Sequence, residues 1–357
     1  MNFNELIQHV KAEVTRRLED DEYLRHLEPE HIRQSTFSYI GRQGKSLRPV
    51  VLVLSSRAVG GDESLAFAAA ASIEVYHTWT LVHDDIIDAD SLRRGLPTVH
   101  AEFEARGIAE FGLTQELAKH YGLTMGILTG DVQQAWSISL MCDLHIKYGL
   151  RSEVVLQLLK RLSSYVQPTL VEGETLDVQY AQMDVARLDE MQILDMLWKK
   201  TGVLYEFAGY AGASIGLDDV EPHPYVNALA MFASKCGTAF QLKDDVLGVI
   251  GDTALLGKPV GSDIREGKRT TIVLEAMRKA GSAQRSRLNA ILGNRSATDD
   301  EVDEARQLLV DLGGVDYTMR IASHYVEDAR ASLDHLPDSV YKTYLHDWGE
   351  YILSREQ

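Results

Sequence analysis

The sequence predicts an all-α fold, and two observations lead to that class. Apolar residues recur at helical spacing along the 357 residues, and no region has the alternating pattern of paired strands. Several predicted helices are unusually long yet keep small residues, such as the alanine run 68–71 and Gly209, that let neighbouring helices approach closely. A tightly packed helical body without a sheet follows. Because no repeat, low-complexity tract or clear linker interrupts the chain, we expect a single domain over residues 1–357.

The first half of the chain contains five predicted helices. Apolar residues at helical spacing predict an amphipathic first helix, namely Leu6, Ile7, Val10, Val14 and Leu18. The others are predicted over residues 31–41, 49–59, 63–94 and 115–141. Pro49 suits the first turn of the third helix, and Gly95 with Pro97 ends the fourth.

The second half of the chain continues with three long predicted helices, over residues 152–181, 188–215 and 225–250. We expect Pro168 to kink the first of them, since proline removes a helical hydrogen bond. Residues 251–269 predict a loop that carries glycine and lysine. Three shorter helices are expected to close the chain, one of them opened by a capping box at Thr298 and Glu301 and ended at Gly313-Gly314.

Composition limits the classes of partner. With 36 basic and 53 acidic residues, the net charge of −17 argues against nucleic acid or an anionic membrane surface. The two cysteines show no metal-binding spacing and no disulfide framework, so a cytoplasmic protein is the default. The longest apolar run, near residues 65–73, is too short to cross a bilayer, which takes about 20 residues.

The stretch HDDIIDADSLRRG, residues 83–95, carries the first chemical signal. On a helix Asp84 and Asp88 share a face, with Asp85 about 100° away, and like charges at that spacing repel. A divalent cation compensates them, and Mg²⁺ is typically held by carboxylates together with substrate phosphates. Arg93 and Arg94 follow, and arginine suits phosphate. Alone, the pattern also fits a solvated acidic helix end.

A second acidic motif, FQLKDDVLG, occupies residues 240–248. Gln241, Asp244, Asp245 and Gly248 follow the i, i+3, i+4, i+7 rule and line one helical face. Weak by itself, this motif gains weight beside the first one, because two facing acidic walls would clamp a diphosphate through shared Mg²⁺.

Three basic elements complete the pattern. The loop GKPVGSDIREGKRT, residues 257–270, offers Lys258 and Lys268 to anionic oxygens, either as a lid or as a plain surface loop. The segment GKSLRP contains Lys45 and Arg48 and precedes a helix N-terminus that attracts phosphate. An ordinary basic surface loop would show the same sequence pattern. Lys200 lies between apolar helical turns beside Thr201, so it should meet an anion or extend to water.

Together, these motifs resemble those of the trans-isoprenyl diphosphate synthases, the polyprenyl synthetase family. They occur in the family's order across residues 44–270. The resemblance implies an isoprenoid synthase fold, with long antiparallel helices around a deep apolar cavity. It also implies a homodimer, Mg²⁺ as cofactor, and the condensation of isopentenyl diphosphate with an allylic diphosphate by ionisation, addition and proton loss.

The resemblance also implies roles for individual residues. Mg²⁺ on the allylic diphosphate would be bound by Asp84, Asp85, Asp88, Asp244 and Asp245. Isopentenyl diphosphate would be held by Lys45, Arg48, His77 and Arg94. The allylic diphosphate would be held by Arg93, Lys200, Lys258 and Lys268, with Thr201 and Gln241 beside the allylic cation. His77, taken alone, also fits a satisfied core histidine.

Two departures from the family pattern affect the metal site. Gly248 stands where some members carry a third aspartate, and this variant without the aspartate resembles many geranylgeranyl-type members. Glu174 stands in the segment GETLD where the family often has GQxxD, and it adds a negative charge near the metals.

Product length is expected to depend on one stripe of the central helix. Thr80 and Tyr76 follow Asp84 at intervals of four residues, about 6 and about 12 Å below it. A growing prenyl chain would pass Thr80 and meet Trp79 or Tyr76 as a floor, although both rings also fit core packing. The pattern resembles archaeal-type geranylgeranyl diphosphate synthases, so we expect a C20 product, with C15 and C25 as alternatives. A class I terpene cyclase and a regulatory subunit of a heteromeric synthase are weaker alternatives.

Overall fold

The computed structural model describes residues 2–40, 42, 44–251 and 261–355. It contains helices α1 (Phe3–Glu19), α2 (Glu30–Phe37), α3 (Leu47–Ala58), α4 (Glu63–Asp88), α5 (Val99–Phe111), α6 (Gln115–Ile146), α7 (Ser152–Arg161), α8 (Gln167–Ala181), α9 (Glu190–Leu197), α10 (Val203–Leu217) and α11 (Pro224–Ile250). It continues with α12 (Ser262–Glu266), α13 (Thr271–Lys279), α14 (Ser282–Ile291), α15 (Asp299–Asp311), α16 (Gly314–Ala331) and α17 (Val340–Ser354). The all-α class is confirmed.

The chain divides into two compact units, residues 1–159 with 211–221 and residues 160–210 with 222–357. In the first unit α4 packs along α6 and α3, while α1 and α5 cover them. Small residues allow this contact, as the sequence predicted. A Cβ on Gly130 of α6 would lie 2.0 Å from His83 Nε2 on α4, and one on Gly212 of α10 would lie 2.2 Å from the Leu52 carbonyl oxygen.

The central helix α4 ends at Asp88, so the predicted end at Arg94 is wrong. Ala89 adopts a left-handed conformation (φ 60°) that stops the helix. Two-residue strands β1 (Leu92–Arg93) and β2 (Leu96–Pro97) then pair antiparallel across the turn Arg94-Gly95. Both turn residues have positive φ, as the right-handed twist of a two-residue hairpin requires. The hairpin turns Arg93 back towards α4, which a continuous helix would not do.

In the second unit α11 packs against α16 and α17, and α8 packs against the turn between α9 and α10. Two π-helical turns interrupt the long helices, at Leu162–Val166 and at Trp198–Gly202. The first lies just before Pro168, where the sequence predicted a kink. The second carries Lys200 and Thr201.

Five helices, not three, occupy residues 271–354. The break at Gly281 takes only two residues, so apolar periodicity continues across it. The predicted end at Gly313 is confirmed, because α15 ends at Asp311 and Gly313 adopts a left-handed conformation (φ 77°) before α16. The predicted capping box is confirmed, because Glu301 N donates to Thr298 Oγ1 (3.3 Å) and Thr298 N donates to Glu301 Oε2 (3.0 Å). No helix in the described ranges is long and apolar enough to cross a membrane.

Candidate active site

The first acidic motif occupies the last turn of α4. Asp84 and Asp88 are half-buried, whereas Asp85 is 1 % exposed. Arg93 returns from the hairpin and donates from Nε to Asp85 Oδ1 (2.7 Å) and from Nη2 to Asp84 Oδ2 (3.2 Å). From the sequence we expected a metal ion to compensate the negative charge of these carboxylates. In this structure the guanidinium of Arg93 compensates part of that charge.

Tyr39 holds the other side of the same carboxylate. Its hydroxyl donates to Asp85 Oδ2 and accepts from Val99 N (3.1 Å). Burial raises the pKa of Asp85, while Arg93 and Tyr39 act in the opposite direction. Each Asp85 oxygen accepts a hydrogen bond, so Asp85 anchors Arg93 in this structure. Each oxygen keeps a second lone pair, and the role of Asp85 as a metal ligand stays a prediction. Tyr39 was not predicted as a partner, because it lies 46 residues before Asp85 in the sequence.

A basic cluster forms in the first unit around the N-terminus of α3. Arg48 Nη1 donates to His77 Nε2 (2.7 Å), and burial with the Arg48 charge lowers the pKa of His77 well below its usual value. His77 is therefore neutral at pH 7 and fixed as an acceptor. Arg94 lies against the loop, where a Cβ on Gly44 would be 2.7 Å from its Nη1. Lys45 is half-buried in the same loop. The predicted Lys45, Arg48, His77 and Arg94 thus belong to one unit.

Glu74 is the acidic member of this cluster and was not predicted. Its Oε1 accepts from Ser46 Oγ (3.0 Å), and no described residue donates to its buried Oε2. Burial raises the pKa of Glu74, and the charges of Arg94 and Arg48 oppose that shift. Its position one turn before His77 is the signal that would have identified it.

In the second unit Lys200 meets the anions that the sequence predicted. Its Nζ lies 2.6 Å from Asp177 Oδ2 and 3.0 Å from Glu174 Oε2, both on α8. Gly173 makes this approach feasible, because a Cβ there would lie 2.2 Å from the Lys200 backbone nitrogen. Glu174, one of the two departures, is therefore a direct partner of Lys200.

Thr201 and Gln241 form a short hydrogen-bond chain that ends on the second acidic motif. Thr201 Oγ1 donates to Gln241 Oε1 (2.8 Å), and Gln241 Nε2 donates to Asp245 Oδ1 (3.1 Å). The helical spacing of Gln241 and Asp245 predicted that these side chains share a face. The link to Thr201 comes from the packing of α11 against the π-helical turn.

Asp245 is the residue that most clearly calls for a cation. It is 7 % exposed, and its buried Oδ2 accepts no hydrogen bond from any described residue. Burial, followed by the charges of Asp263 and Asp244, raises the pKa of Asp245 to about 8. A buried carboxylate with one orphaned oxygen among other acids fits a Mg²⁺ site.

Within the described part of the chain, no group of three or more His, Cys, Asp and Glu side chains is arranged to hold a metal ion by itself.

The free energy of unfolding should depend on pH because the pKa of Asp245 is raised in the folded protein. Its folded pKa lies above the ordinary value of 3.8, so between pH 4 and 8 the folded protein holds a proton that the unfolded chain has released. We expect the free energy of unfolding of the metal-free protein to fall as pH rises through this window, by up to about 1.4 kcal/mol per pH unit. The measurement is urea unfolding at several pH values with a chelator present. The Asp245→Asn variant, which lacks this titration, should lose less stability over the window; identical slopes in both proteins would contradict the assignment.

Asp244, the other carboxylate of the motif, is bound by a residue that the sequence analysis missed. Arg355 Nη2 donates to Asp244 Oδ1 (2.5 Å) and to the Phe240 carbonyl oxygen (2.8 Å), and its guanidinium carbon lies 3.9 Å from the Phe240 ring centroid. The Arg355 side chain is 1 % exposed, whereas that of Asp244 is 39 % exposed. No local pattern links residues 111 positions apart, so only the packing of α17 against α11 reveals this pair.

Replacing Arg355 with glutamine should lower the free energy of unfolding by about 2 kcal/mol, because a buried partner of Asp244 and of the Phe240 carbonyl is lost. The matched control is Arg330→Gln, whose partner Glu350 is 68 % exposed, and which should cost about 1 kcal/mol or less. Urea unfolding of both variants measures the difference. Equal losses of stability in the two variants would show that the Arg355 contacts stabilise the protein no more than the exposed Arg330–Glu350 pair does.

The remaining predicted residues fall into three groups. Lys268 lies 3.2 Å from Glu266 Oε2 and 3.9 Å from Asp263 Oδ1 in the second unit. Lys258 lies outside the described residues. The chain-length residues all lie on α4, and their order along the helix is as predicted.

The aromatic pair proposed as a floor is buried. Tyr76 is 1 % and Trp79 8 % exposed, and their ring centroids are 5.0 Å apart. The buried Tyr76 hydroxyl has no hydrogen-bond partner among the described residues. Thr80 is half-buried and donates to the His77 carbonyl oxygen (2.7 Å) within its own helix. An unpartnered hydroxyl beside a large ring is typical of an apolar environment.

Comparison with known proteins gives a family match. A family model described as polyprenyl synthetase matches residues 29–309. A geranylgeranyl diphosphate synthase of Sulfolobus acidocaldarius is 35 % identical over 294 residues, which cover 82 % of this chain and 80 % of the relative. A geranylfarnesyl diphosphate synthase of Aeropyrum pernix is 34 % identical over 332 residues, covering 92 % of this chain and 95 % of the relative.

The fold also matches solved structures. The geranylgeranyl pyrophosphate synthase of Corynebacterium glutamicum, complexed with isoprenyl diphosphate and magnesium, superposes with a TM-score of 0.85 at 26 % identity. The match covers 99 % of this chain and 100 % of that one.

Proposed function

The chain belongs to the polyprenyl synthetase family, and on that premise we propose that it condenses isopentenyl diphosphate with an allylic diphosphate to give geranylgeranyl diphosphate, the C20 product. The enzyme class is that of a trans-prenyltransferase, as in the curated relatives. The observation that carries the proposal is the pair of acidic motifs, each with its own set of cationic or hydrogen-bonding side chains.

The homoallylic diphosphate is assigned to the basic cluster of the first unit. Arg48 and Arg94 supply charge, neutral His77 orients Arg48 through its 2.7 Å hydrogen bond, and the positive end of the α3 dipole attracts phosphate. Lys45 belongs to the same loop. Substrate anions would offset the charge of these arginines, a task that Glu74 performs in part without substrate.

The allylic diphosphate is assigned to the residues near the acidic motifs. Asp84 and Asp88 would bind Mg²⁺ in the first unit, with Arg93 held by Asp85 for direct contact with phosphate. In the second unit Asp244 and Asp245 would bind Mg²⁺. Lys200, Lys268 and the predicted Lys258 would also contact phosphate oxygens.

The reaction follows from these contacts. When bound, Mg²⁺ supplies Lewis-acid stabilisation of the departing diphosphate. Arg93, held by Asp85, would add fixed positive charge to that leaving group, so the allylic C–O bond breaks with its electron pair leaving on oxygen. The isopentenyl double bond, held nearby, attacks the allylic cation. Thr201 and Gln241 direct oxygen dipoles toward that cation, and the adduct then loses a proton to the released diphosphate.

Two observations favour a C20 product over a C15 or C25 product. Buried Tyr76 and Trp79 lie two turns or less below Asp84 on α4, and the Sulfolobus relative is a geranylgeranyl diphosphate synthase. The Aeropyrum relative, a geranylfarnesyl diphosphate synthase, makes C25 the second candidate.

One assay tests the proposal. The purified chain is incubated with isopentenyl diphosphate, Mg²⁺ and each of the C5, C10 and C15 allylic primers, and the products are sized after dephosphorylation. We expect C20 alcohol from all three primers. C15 or C25 as the end product would correct the chain length. A cyclic hydrocarbon from geranylgeranyl diphosphate alone would indicate a terpene cyclase, and inactivity of the pure chain would indicate a regulatory subunit.

A homodimer is part of the proposal. Its support is the row of exposed apolar side chains on α6, where Leu117, Ile127, Leu128 and Ile138 are each more than 40 % exposed. Sedimentation velocity should give twice the chain mass of 39.8 kDa. The single domain over residues 1–357 and the cytoplasmic location also stay predictions, which calorimetric unfolding and cell fractionation test.

A further inference from the structure

One carboxylate, that of Glu206 on α10, connects the two π-helical turns of the second unit. Its Oε1 accepts from the Tyr165 hydroxyl of the first turn (3.2 Å). Its Oε2 accepts from Ser234 Oγ on α11 (3.3 Å), and Ser234 Oγ accepts from Trp198 Nε1 of the second turn (3.0 Å). The Glu206 side chain is 14 % exposed, and Ser234 is 7 % exposed. A mostly buried chain of hydrogen bonds therefore leads from one turn to the other.

Arg161, the last residue of α7, also binds this carboxylate. Its Nη2 lies 2.9 Å from Glu206 Oε1. Its guanidinium carbon lies 4.8 Å from the Tyr165 ring centroid and 4.3 Å from the Tyr210 ring centroid, so two aromatic rings limit its movement. Hydrogen bonds between ionised partners are shorter and stronger than those between neutral groups. Because both oxygens of Glu206 have donors and its cationic partner is held by two rings, the carboxylate has a defined position.

The second π-helical turn is attached to one face of α11 at two points. Trp198 donates to Ser234, and Thr201 donates to Gln241. Ser234 and Gln241 are seven residues apart, so they share a face of α11 and lie about 10 Å apart along its axis. The approach is close, since a Cβ on Gly202 would lie 3.3 Å from the Ser234 carbonyl oxygen. The Trp198 hydrogen bond thus helps to fix the position from which Thr201 reaches Gln241.

Both π-helical turns also determine where Lys200 lies. The first turn leads directly into α8, which carries Asp177, and the second turn carries Lys200, whose Nζ lies 2.6 Å from Asp177 Oδ2. A π-helical turn contains about one residue more than an α-helical turn, and one residue of an α-helix corresponds to a rotation of about 100°. The position of the extra residue therefore decides which way the neighbouring side chains point. Loss of either π-helical turn would rotate Lys200 or Asp177 away from the other.

We propose that Glu206 is a positioning residue for prenyl transfer. Through its hydrogen bonds it keeps both π-helical turns in place, and it thereby fixes Lys200 against α8 and Thr201 against α11. The inference rests on the proposed function, which assigns Lys200 and Thr201 to the allylic substrate. Glu206 acts only through these two residues and does not itself contact the substrate.

Glu206→Gln tests this role directly. Glutamine keeps the size of the side chain, but it offers an acceptor oxygen to only one of the two turns. We expect kcat per folded chain to fall by about 10-fold, because the alignment of the reacting groups is lost. The KM for isopentenyl diphosphate should stay within about 3-fold of the wild type, since the charges assigned to that substrate remain. Steady-state kinetics with both diphosphates measures the two constants.

The matched control is Glu275→Gln, on α13 of the same unit. The Glu275 side chain is 5 % exposed, and its partners are Arg278 and Lys279 of its own helix, so this variant also breaks a buried ion pair. Urea unfolding should show a loss of stability, whereas kcat per folded chain should stay within about 3-fold of the wild type. Equal losses of kcat in the two variants, or no loss in Glu206→Gln, overturn the proposal.

A double-mutant cycle tests the chain of hydrogen bonds. Trp198→Phe removes the N–H donor and keeps an aromatic ring, and Ser234→Ala removes the hydroxyl that links Trp198 to Glu206. Each single variant should lower kcat by about 10-fold. Because both variants interrupt the same chain, the double variant should also lose about 10-fold rather than about 100-fold. Independent, multiplied losses in folded proteins count against the proposal.

Hydrogen exchange followed by mass spectrometry gives a readout that does not depend on catalysis. Amides of the second π-helical turn should exchange about 5-fold faster in Glu206→Gln, as expected for the loss of about one hydrogen bond, and at the wild-type rate in Glu275→Gln. Unchanged exchange of this turn in Glu206→Gln overturns the proposal. If the wild-type chain makes no prenyl product, the proposed reaction fails and the exchange result alone decides the positioning role. An active wild type whose Glu206→Gln variant keeps both its kcat and its exchange rate overturns only this inference.

Discussion

Asp84→Asn is expected to lower kcat/KM for prenyl transfer by about 10³-fold or more, because it removes the charge of a proposed metal ligand where negative charge would develop on the leaving diphosphate. The free energy of unfolding should change by less than about 1 kcal/mol, since Asp84 is partly exposed and lies beside another carboxylate. Arg93 keeps its bond to Asp85 in this variant. Steady-state kinetics across a Mg²⁺ titration, together with urea unfolding, measure both quantities.

The matched control is Asp90→Asn, just beyond the end of α4 and outside the proposed metal set. Its kcat/KM should stay within about 3-fold of the wild type. An Asp84→Asn enzyme that retains more than a tenth of wild-type activity at every Mg²⁺ concentration would show that the first acidic motif does not bind the reacting diphosphate.

The double variant Trp79→Ala with Tyr76→Ala is expected to lengthen the product from C20 to C25 and beyond. Both rings are buried and in contact, and removing them opens space about two helical turns below Asp84. A growing prenyl chain can extend into that space until it meets the next bulky side chain. Chromatography of dephosphorylated products, with C15 primer and excess isopentenyl diphosphate, measures the change.

The control for the floor is Phe67→Ala, a buried aromatic on the same helix and 5 % exposed. It lies nine residues before Tyr76, so the single variant should lose stability, by about 3 kcal/mol, without lengthening the product. If the double variant folds and still stops at C20, the two rings are core packing and another element sets the chain length. If the double variant is too unstable to purify, the single variant Trp79→Leu can replace it, because it removes less side-chain volume from the proposed floor.

Helical periodicity determined the architecture to a large extent. The long helices α4, α6 and α11 were predicted with at least one end within a few residues, since their apolar stripes are long and continuous. Errors occurred where a change of direction takes only one or two residues. Ala89, in a left-handed conformation, ended α4 six residues early, and the two-residue break at Gly281 helped to divide the C-terminal part into more helices than expected.

The local members of the candidate site were also predictable. Gln241 and Asp245 are four residues apart on one helix, and their hydrogen bond follows from that spacing. Lys200 in an apolar helix predicted an anionic partner, because a buried ammonium is costly without one, and the partners are Asp177 and Glu174.

The helical class, the acidic motifs and the charges that accompany them were readable from the sequence, since they depend on spacing within one helix or on the cost of burying a charge. The partner of each carboxylate became known from the packing of the folded chain. It bound Asp85 to Tyr39 and Arg93, joined Asp244 to Arg355, and brought Asp263 against Gly248. Each of these contacts joins residues from separate helices or turns. Which residues meet depends on how those elements pack, and the local spacing of the sequence does not encode that packing.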